Sequence, residues 1–280
     1  MTGQLFAHGA ERVELPGRVA ALRTAPAEVI VLLVPGYTGS KEDFAPILGG
    51  IAEGGLQAVS VDLPGQFESP GPDDESAYRP APLGKVVAGL VEFLARQGKP
   101  VILLGHSYGG LVARAAVLAG APIAGLTLLD SGPSALPEGP RRQALGLGEP
   151  LLRERGLVAA YAVREEMSAR FPSWVRLPVE LKDFFRHRFT SSSPFGLLGM
   201  ADGLRHEPDL VAELAAALGD KPRLVVAGEG DDAWSVESQR DMAARLAAPF
   251  ALVPNAAHSP NTENPLGLLE VLLPAWRSWL

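Results

Sequence analysis

Residues 101–112 read Val-Ile-Leu-Leu-Gly-His-Ser-Tyr-Gly-Gly-Leu-Val. An apolar run ends abruptly at Gly105-His106-Ser107-Tyr108-Gly109. Small and apolar residues of helical character follow (Ala113, Ala115, Ala116, Leu118). That order is strand, sharp turn, helix, with one hydroxyl at the apex. Flanking glycines are needed where strand and helix backbones approach too closely for side chains, and the apex serine must accept torsions that few residues tolerate. Its Oγ is then held out where a base can reach it, which is what a weak nucleophile requires. A glycine-rich turn with an incidental serine has the same local pattern, so the remaining chain must discriminate.

Residues 29–34, Val-Ile-Val-Leu-Leu-Val, form a continuous run without alternation, which suits an interior parallel strand buried on both faces. Further strands are expected at 58–61, 126–129, 223–228 and 250–253. Helical spacing of apolar residues recurs at 83–98, 209–218, 236–246 and from about 264 onward, where Leu266, Leu269, Leu272, Leu273 and Trp276 read as the buried side. Val13 and Leu15, then Val19 to Leu22, flank Pro16-Gly17 as a hairpin. Strands alternating with helices imply a parallel sheet with helices on both faces, and the ligand site of such a sheet lies at the carboxyl ends of its strands. Pro35, Asp62, Ser107 and Asp130 fall there. Residues 66–82, rich in Pro, Gly, Asp, Glu and Ser, read as a surface loop.

Residues 134–206 lack a strand-like run. They carry helical patterns broken by Pro and Gly, a good helix start at Ser193-Pro194, and arginines and glutamates alternating as on a solvated face. Most of the aromatic residues here (Phe171, Trp174, Phe184, Phe185, Phe189, Phe195) are expected to pack the insertion itself. The organisation expected is a core over 1–132, a helical insertion over 133–206 above the strand ends, and a second part of the core over 207–280.

Bulk properties narrow the function. With 47% hydrophobic residues among 280, a sizeable core is expected. A net charge of −7 provides no basic excess to neutralise phosphates and argues against a nucleic-acid partner. The absence of cysteine excludes disulfides, thiolate metal sites and a thiol nucleophile. No apolar run approaches the roughly 20 residues of a membrane span, and no signal peptide is recognisable, so the cytoplasm is the expected compartment.

Three chemical groups each follow a strand, in the order Ser107, then Asp231 or Asp232, then His258. One sheet rim should hold all three. A hydroxyl, an imidazole to deprotonate it and a carboxylate to fix the imidazole tautomer make up an acyl-transfer site. His106 neighbours Ser107, but the turn directs successive side chains apart, so it reads as structural. His187 and His206 belong to the insertion and should be exposed. In Pro35-Gly36-Tyr37-Thr38-Gly39-Ser40, the Tyr37 N–H could donate to an oxyanion, or the loop could be an ordinary turn. Asp62 reads as a loop-capping aspartate.

Taken together, the chain resembles the α/β-hydrolase superfamily along nearly its full length. The resemblance rests on Gly105-His106-Ser107-Tyr108-Gly109, Pro35-Gly36-Tyr37, Asp62-Leu63-Pro64-Gly65, Gly228-x-x-Asp231 and Ala257-His258-Ser259-Pro260. It implies an α/β-hydrolase fold: a mostly parallel eight-stranded sheet with helices on both faces and a helical cap in the insertion. It further implies Ser107 as nucleophile, His258 as base and Asp231 as acid, with an oxyanion hole from the N–H groups of Tyr37 and Tyr108. Some members place the acid after the preceding strand, which keeps Asp130 in reserve. Pro35, Gln66 and Ala256-Ala257 depart from common family residues without touching these positions. A serine at the apex disfavours dehalogenases and epoxide hydrolases, whose chemistry needs a carboxylate nucleophile. The implied activity is hydrolysis of a small or medium carboxylic ester through an acyl-enzyme, needing no metal and no organic cofactor. Thioester, lactone, amide or C–C hydrolysis and acyl transfer are its neighbours in chemistry. A non-catalytic scaffold would be expected to have lost one of the three groups.

Overall fold

The computed structural model describes residues 3–96 and 98–280. The hairpin forms around Pro16-Gly17 from β1 (Glu11–Leu15) and β2 (Val19–Arg23). Then follow β3 (Ile30–Val34), α1 (Ala45–Glu53), β4 (Gln57–Val61), α2 (Pro80–Ala95), β5 (Val101–His106), α3 (Tyr108–Leu118) and β6 (Gly125–Leu129). Four helices come next: α4 (Pro140–Ser168), α5 (Pro172–Val175), α6 (Val179–Ser191) and α7 (Pro194–His206). The chain closes with α8 (Val211–Leu218), β7 (Arg223–Gly228), α9 (Val236–Arg245), β8 (Phe250–Val253), α10 (Pro260–Glu263) and α11 (Pro265–Arg277). The eight strands form one sheet in the order β1-β2-β4-β3-β5-β6-β7-β8. Only β2 runs against the others, antiparallel to both β1 and β4; the remaining pairs are parallel.

Strands β3, β4, β5 and β6 are buried at every position, as interior strands of a parallel sheet are, and their burial extends to the polar residues Gln57 and Ser60 of β4 and Thr127 of β6. Their side chains divide between the two faces with period two. Ile30, Leu32, Val34 and Leu103 join the core beneath α2, α3, α8 and α9. Val31, Leu33, Ile102 and Leu104 join the core beneath α1 and α11. Each such side chain contributes about 1.5–3 kcal/mol by leaving water. Across the second core, Trp276 of α11 donates its indole N–H to Thr127 Oγ1 of β6 at 2.9 Å, which satisfies a buried polar pair.

Two expectations need correction. Leu266 is 73% exposed, because the buried stripe of α11 runs through Leu268, Leu269, Leu272 and Trp276. At about 100° per residue, Leu266 sits far around the helix from Leu268. The stretch 66–82 is not wholly surface. Tyr78 is fully buried and donates its hydroxyl to Pro72 O at 2.7 Å, and α2 already begins at Pro80. One aromatic anchor thus holds a loop whose composition alone reads as solvated.

The four helices between β6 and α8 rest against loops at the carboxyl ends of β3 and β4. Arg188 of α6 pairs with Asp43 at 2.5 Å. Ser193 N–H donates to Gly65 O at 2.8 Å, while Ser192 Oγ accepts from Phe67 N–H at 3.1 Å. Pro150 lies inside α4, and Gly156 breaks its helical geometry with φ +76°.

Candidate active site

The apex of the β5–α3 turn is Ser107, with φ +55° and ψ −122°. Such torsions cost a non-glycine residue on the order of 1–3 kcal/mol. The surrounding close approaches hold them in place. A Cβ on Gly105 would overlap the Gly109 carbonyl, and one on Gly109 would overlap the Val34 carbonyl. Gly105→Ala is therefore expected to destabilise the fold by about 3 kcal/mol or more, because backbone cannot yield as a side chain would. Gly89→Ala, in an exposed turn of α2 with no atom near the added methyl, should instead stabilise by about 0.5–1 kcal/mol. Opposite shifts in thermal midpoint for the two variants check this pair.

Ser107 Oγ lies 2.9 Å from His258 Nε2, on the loop after β8. His258 Nδ1 lies 2.8 Å from Asp231 Oδ1, on the loop after β7. With a carboxylate accepting at Nδ1, the imidazole proton belongs there, and Nε2 is left to accept from the serine hydroxyl. Asp231 is fixed on both oxygens: Oδ1 also accepts from Ala233 N–H at 2.9 Å, and Oδ2 accepts from Gln239 Nε2 at 2.7 Å. Burial pushes the Asp231 carboxyl up, but His258, the Ala233 N–H and the neighbouring Asp130 outweigh it and hold the carboxyl below its ordinary value. Asp232 points elsewhere, pairing at the surface with Arg141.

Asp130 stands behind this chain. It is fully buried, holds φ +45°, and accepts the Gly228 N–H at 2.8 Å. Oxygens of Asp130 and Asp231 and a nitrogen of His258 all lie within 4.8 Å of one another. Burial and the charge of Asp231 push the Asp130 carboxyl well above its ordinary value. The three could in principle surround a cation. Yet both His258 nitrogens and both Asp231 oxygens already have hydrogen-bond partners, which leaves a cation few free ligand atoms.

The loop after β3 passes beside the serine, so that a Cβ on Gly36 would stand 3.0 Å from Ser107 Cβ. Among the described residues, the backbone N–H groups of Tyr37 and Tyr108 find no acceptor. Gln66 holds this loop, donating to Gly36 O at 2.8 Å while accepting from Leu63 N–H at 2.9 Å. Asp62 takes no part in the site. It accepts from Lys41 N–H at 2.7 Å and pairs with the buried Lys41 ammonium at 2.9 Å. His187 and His206 are exposed and far from the serine in role: one packs on Phe67, and the other pairs with Asp202.

Two supports have partners that the sequence does not disclose, one of them on a residue, His106, already read as structural. Gln239 is one, and its hydrogen bond depends on how α9 docks. The other is His106, whose Nε2 lies 2.6 Å from the carbonyl of His258 and so donates to it. Burial, then the neighbouring His258, lowers the His106 pKa to about 4. The unfolded chain binds this proton near the ordinary value of 6.5, whereas the folded chain refuses it until near 4. Stability should accordingly fall as pH drops from about 6.5 toward 4, by on the order of 3 kcal/mol at about 1.4 kcal/mol per unit. His106→Phe is expected to flatten that slope in thermal midpoints measured against pH, at the cost of one hydrogen bond to the His258 loop.

An eight-stranded α/β sheet with a serine on a strained strand-to-helix turn, backed by a histidine and a carboxylate, defines a class of hydrolase. The chain belongs to the α/β-hydrolase family, whose profile matches residues 31–271. Similar solved structures include a thermophilic esterase from Thermogutta terrifontis, 26% identical with a TM-score of 0.75, covering 96% of this chain and 99% of its own. An enol-lactonase from Burkholderia xenovorans LB400 is 17% identical with a TM-score of 0.76, covering 95% of this chain and 100% of its own. A carboxylesterase from Nitrososphaera gargenis is 16% identical with a TM-score of 0.74, covering 96% and 98%. No curated protein matches the chain in sequence. No described helix is long and apolar enough to cross a membrane.

Proposed function

We propose that the protein hydrolyses carboxylic esters of small to medium acyl groups through an acyl-enzyme. The observation that carries this reading is the unbroken chain of hydrogen bonds from Ser107 through His258 to Asp231. The 26% identity to an esterase over nearly the whole chain supports the ester in particular.

In the first step, His258 Nε2 takes the Ser107 proton as Oγ bonds to the ester carbonyl carbon. The carbonyl electron pair moves onto oxygen, where the N–H groups of Tyr37 and Tyr108 receive it. Each such donor is worth about 10²–10³-fold in rate. The pair then returns, the C–O bond to the alcohol breaks, and His258 gives its proton to the leaving oxygen. Water repeats the sequence: its proton goes to His258, its oxygen bonds to the acyl carbon, and the Oγ–C bond breaks as Ser107 is reprotonated. Asp231 holds the tautomer and offsets the imidazolium charge. Helices α4–α7, over 133–206, act as the cap between two parts of one core, 1–132 and 207–280. With Ser107 only 7% exposed, substrate must enter beneath them.

A fluorophosphonate reagent tests the reading directly. One phosphonyl group per chain, located on Ser107 by peptide mass, is expected. An unlabelled wild-type protein would overturn it. A series of p-nitrophenyl esters alongside a thioester and a lactone then ranks the acyl groups accepted.

A further inference from the structure

A cavity of about 140 Å³ lies where α4, α5 and α6 meet the loop after β3. Tyr161, Trp174, Phe185 and Phe189 form its walls, Thr38 lies on its core side, and Arg164 and Arg188 bring two positive charges to it. Thr38 is two residues beyond Gly36, which abuts Ser107, and two residues span at most about 7 Å. A ligand in the cavity is thus within a short chain's reach of the proposed nucleophile.

The charges there do not cancel. Arg188 is buried, stacks on Phe185 at 5.0 Å, and is matched by Asp43. Arg164 lies over Phe189 at 5.5 Å, and no described carboxylate comes within 4.0 Å of it. Arg164 is solvent-exposed along its length, while crowding around its guanidinium, and then the Arg188 charge, lower its proton affinity. In a chain of net charge −7, this is a local excess of about one positive charge. Two buried polar atoms on the cavity-lining residues, Tyr161 Oη and Arg188 Nε, also lack a partner among the described residues. Leaving such atoms unpaired in the interior is unfavourable. Both atoms are shielded from solvent, so an anion in the cavity would pair with them only as the two side chains turn toward it.

We propose that the cavity holds a free carboxylate on the substrate, gripped by Arg164 with Arg188 and Tyr161 behind it, so that the preferred ester is the monoester of a short dicarboxylic acid. The proposal rests on the hydrolase reading of Ser107. A carboxylate fits better than a phosphate monoester, which carries about −1.5 to −2 at neutral pH against one uncompensated charge. A planar carboxylate also matches the guanidinium fork, and aromatic walls suit a short methylene chain.

The test pairs mono-p-nitrophenyl glutarate with its methyl-capped, neutral analogue. Wild type should favour the anionic ester by at least about tenfold in kcat/KM, a preference that shrinks in high salt. Arg164→Gln should lower the anionic-to-neutral ratio by about 10–100-fold, and Arg164→Lys should recover part of it. A wild type that prefers the capped ester, or an Arg164→Gln variant that keeps the preference, would overturn the proposal. If neither ester turns over, fluorophosphonate labelling of Ser107 decides the hydrolase reading, and binding decides the anion site separately. Calorimetric titration of monomethyl glutarate into Ser107→Ala protein should then show binding that Arg164→Gln abolishes; no binding, or binding indifferent to Arg164, sinks the site.

Discussion

Ser107→Ala is expected to lower ester turnover by about 10⁶-fold and to abolish fluorophosphonate labelling, the magnitude being that seen on removing the nucleophile of subtilisin. The residual rate should exceed the uncatalysed one, because the Tyr37 and Tyr108 N–H groups remain. The fold should survive, since Oγ makes its hydrogen bond to the half-buried His258 and not to a core partner. A second variant separates chemistry from folding. Ser107 holds φ +55° and ψ −122°, where glycine pays no Cβ penalty. Ser107→Gly should therefore be as inactive as the alanine variant yet more thermostable than wild type, by about 1 kcal/mol or more. Turnover surviving in Ser107→Ala would place the chemistry elsewhere. A less stable Ser107→Gly would mean that the turn stores no strain.

The sheet was largely legible because central strands such as β3 and β5 are buried on both faces and write unbroken apolar runs at Ile30–Val34 and Val101–Leu104. The turn at Ser107 was legible because close backbone contacts demand glycine at 105 and 109. What could not be read depends on docking. Nothing near Gln239 announces that it donates to a carboxylate eight residues earlier, and nothing near His106 announces the carbonyl of His258, 152 residues away. By residue type Asp231 and Asp232 are equivalent, and only the Gly228-x-x-Asp231 pattern of the family resemblance favoured the first; the path of the loop sends Asp231 inward and Asp232 to Arg141. Arg164 and Arg188 read as members of a solvated alternating pattern. They acquire a shared cavity only once α4 and α6 pack together, as they do through Tyr161 and Phe189.

The choice between two carboxyl groups can be settled by their amides. Asp231→Asn should reduce turnover by about 10⁴-fold, as the equivalent change does in a chymotrypsin-like protease, because an amide nitrogen facing Nδ1 favours the wrong imidazole tautomer. Asp130→Asn should cost less than tenfold. Two buried carboxylates this close cannot both ionise cheaply, and the proton belongs to Asp130, whose burial and Asp231 neighbour raise its pKa while that of Asp231 is lowered. A protonated Asp130 and an asparagine are near isosteres: each can accept the Gly228 N–H on one atom and present a donor on the other. Stability provides an independent reading with a definite sign. A carboxyl whose folded pKa lies above the unfolded one binds its proton more tightly when folded, so its contribution is complete below the unfolded value and is lost as pH rises toward the folded one. Asp130 should therefore weaken the wild-type fold progressively from about pH 4 upward. Asp130→Asn removes that loss, so its thermal midpoint should gain on wild type as pH rises, while Asp231→Asn shows no such gain. Were the activity losses reversed, with Asp130→Asn inactive and Asp231→Asn nearly normal, the carboxylate serving His258 would be the one after β6.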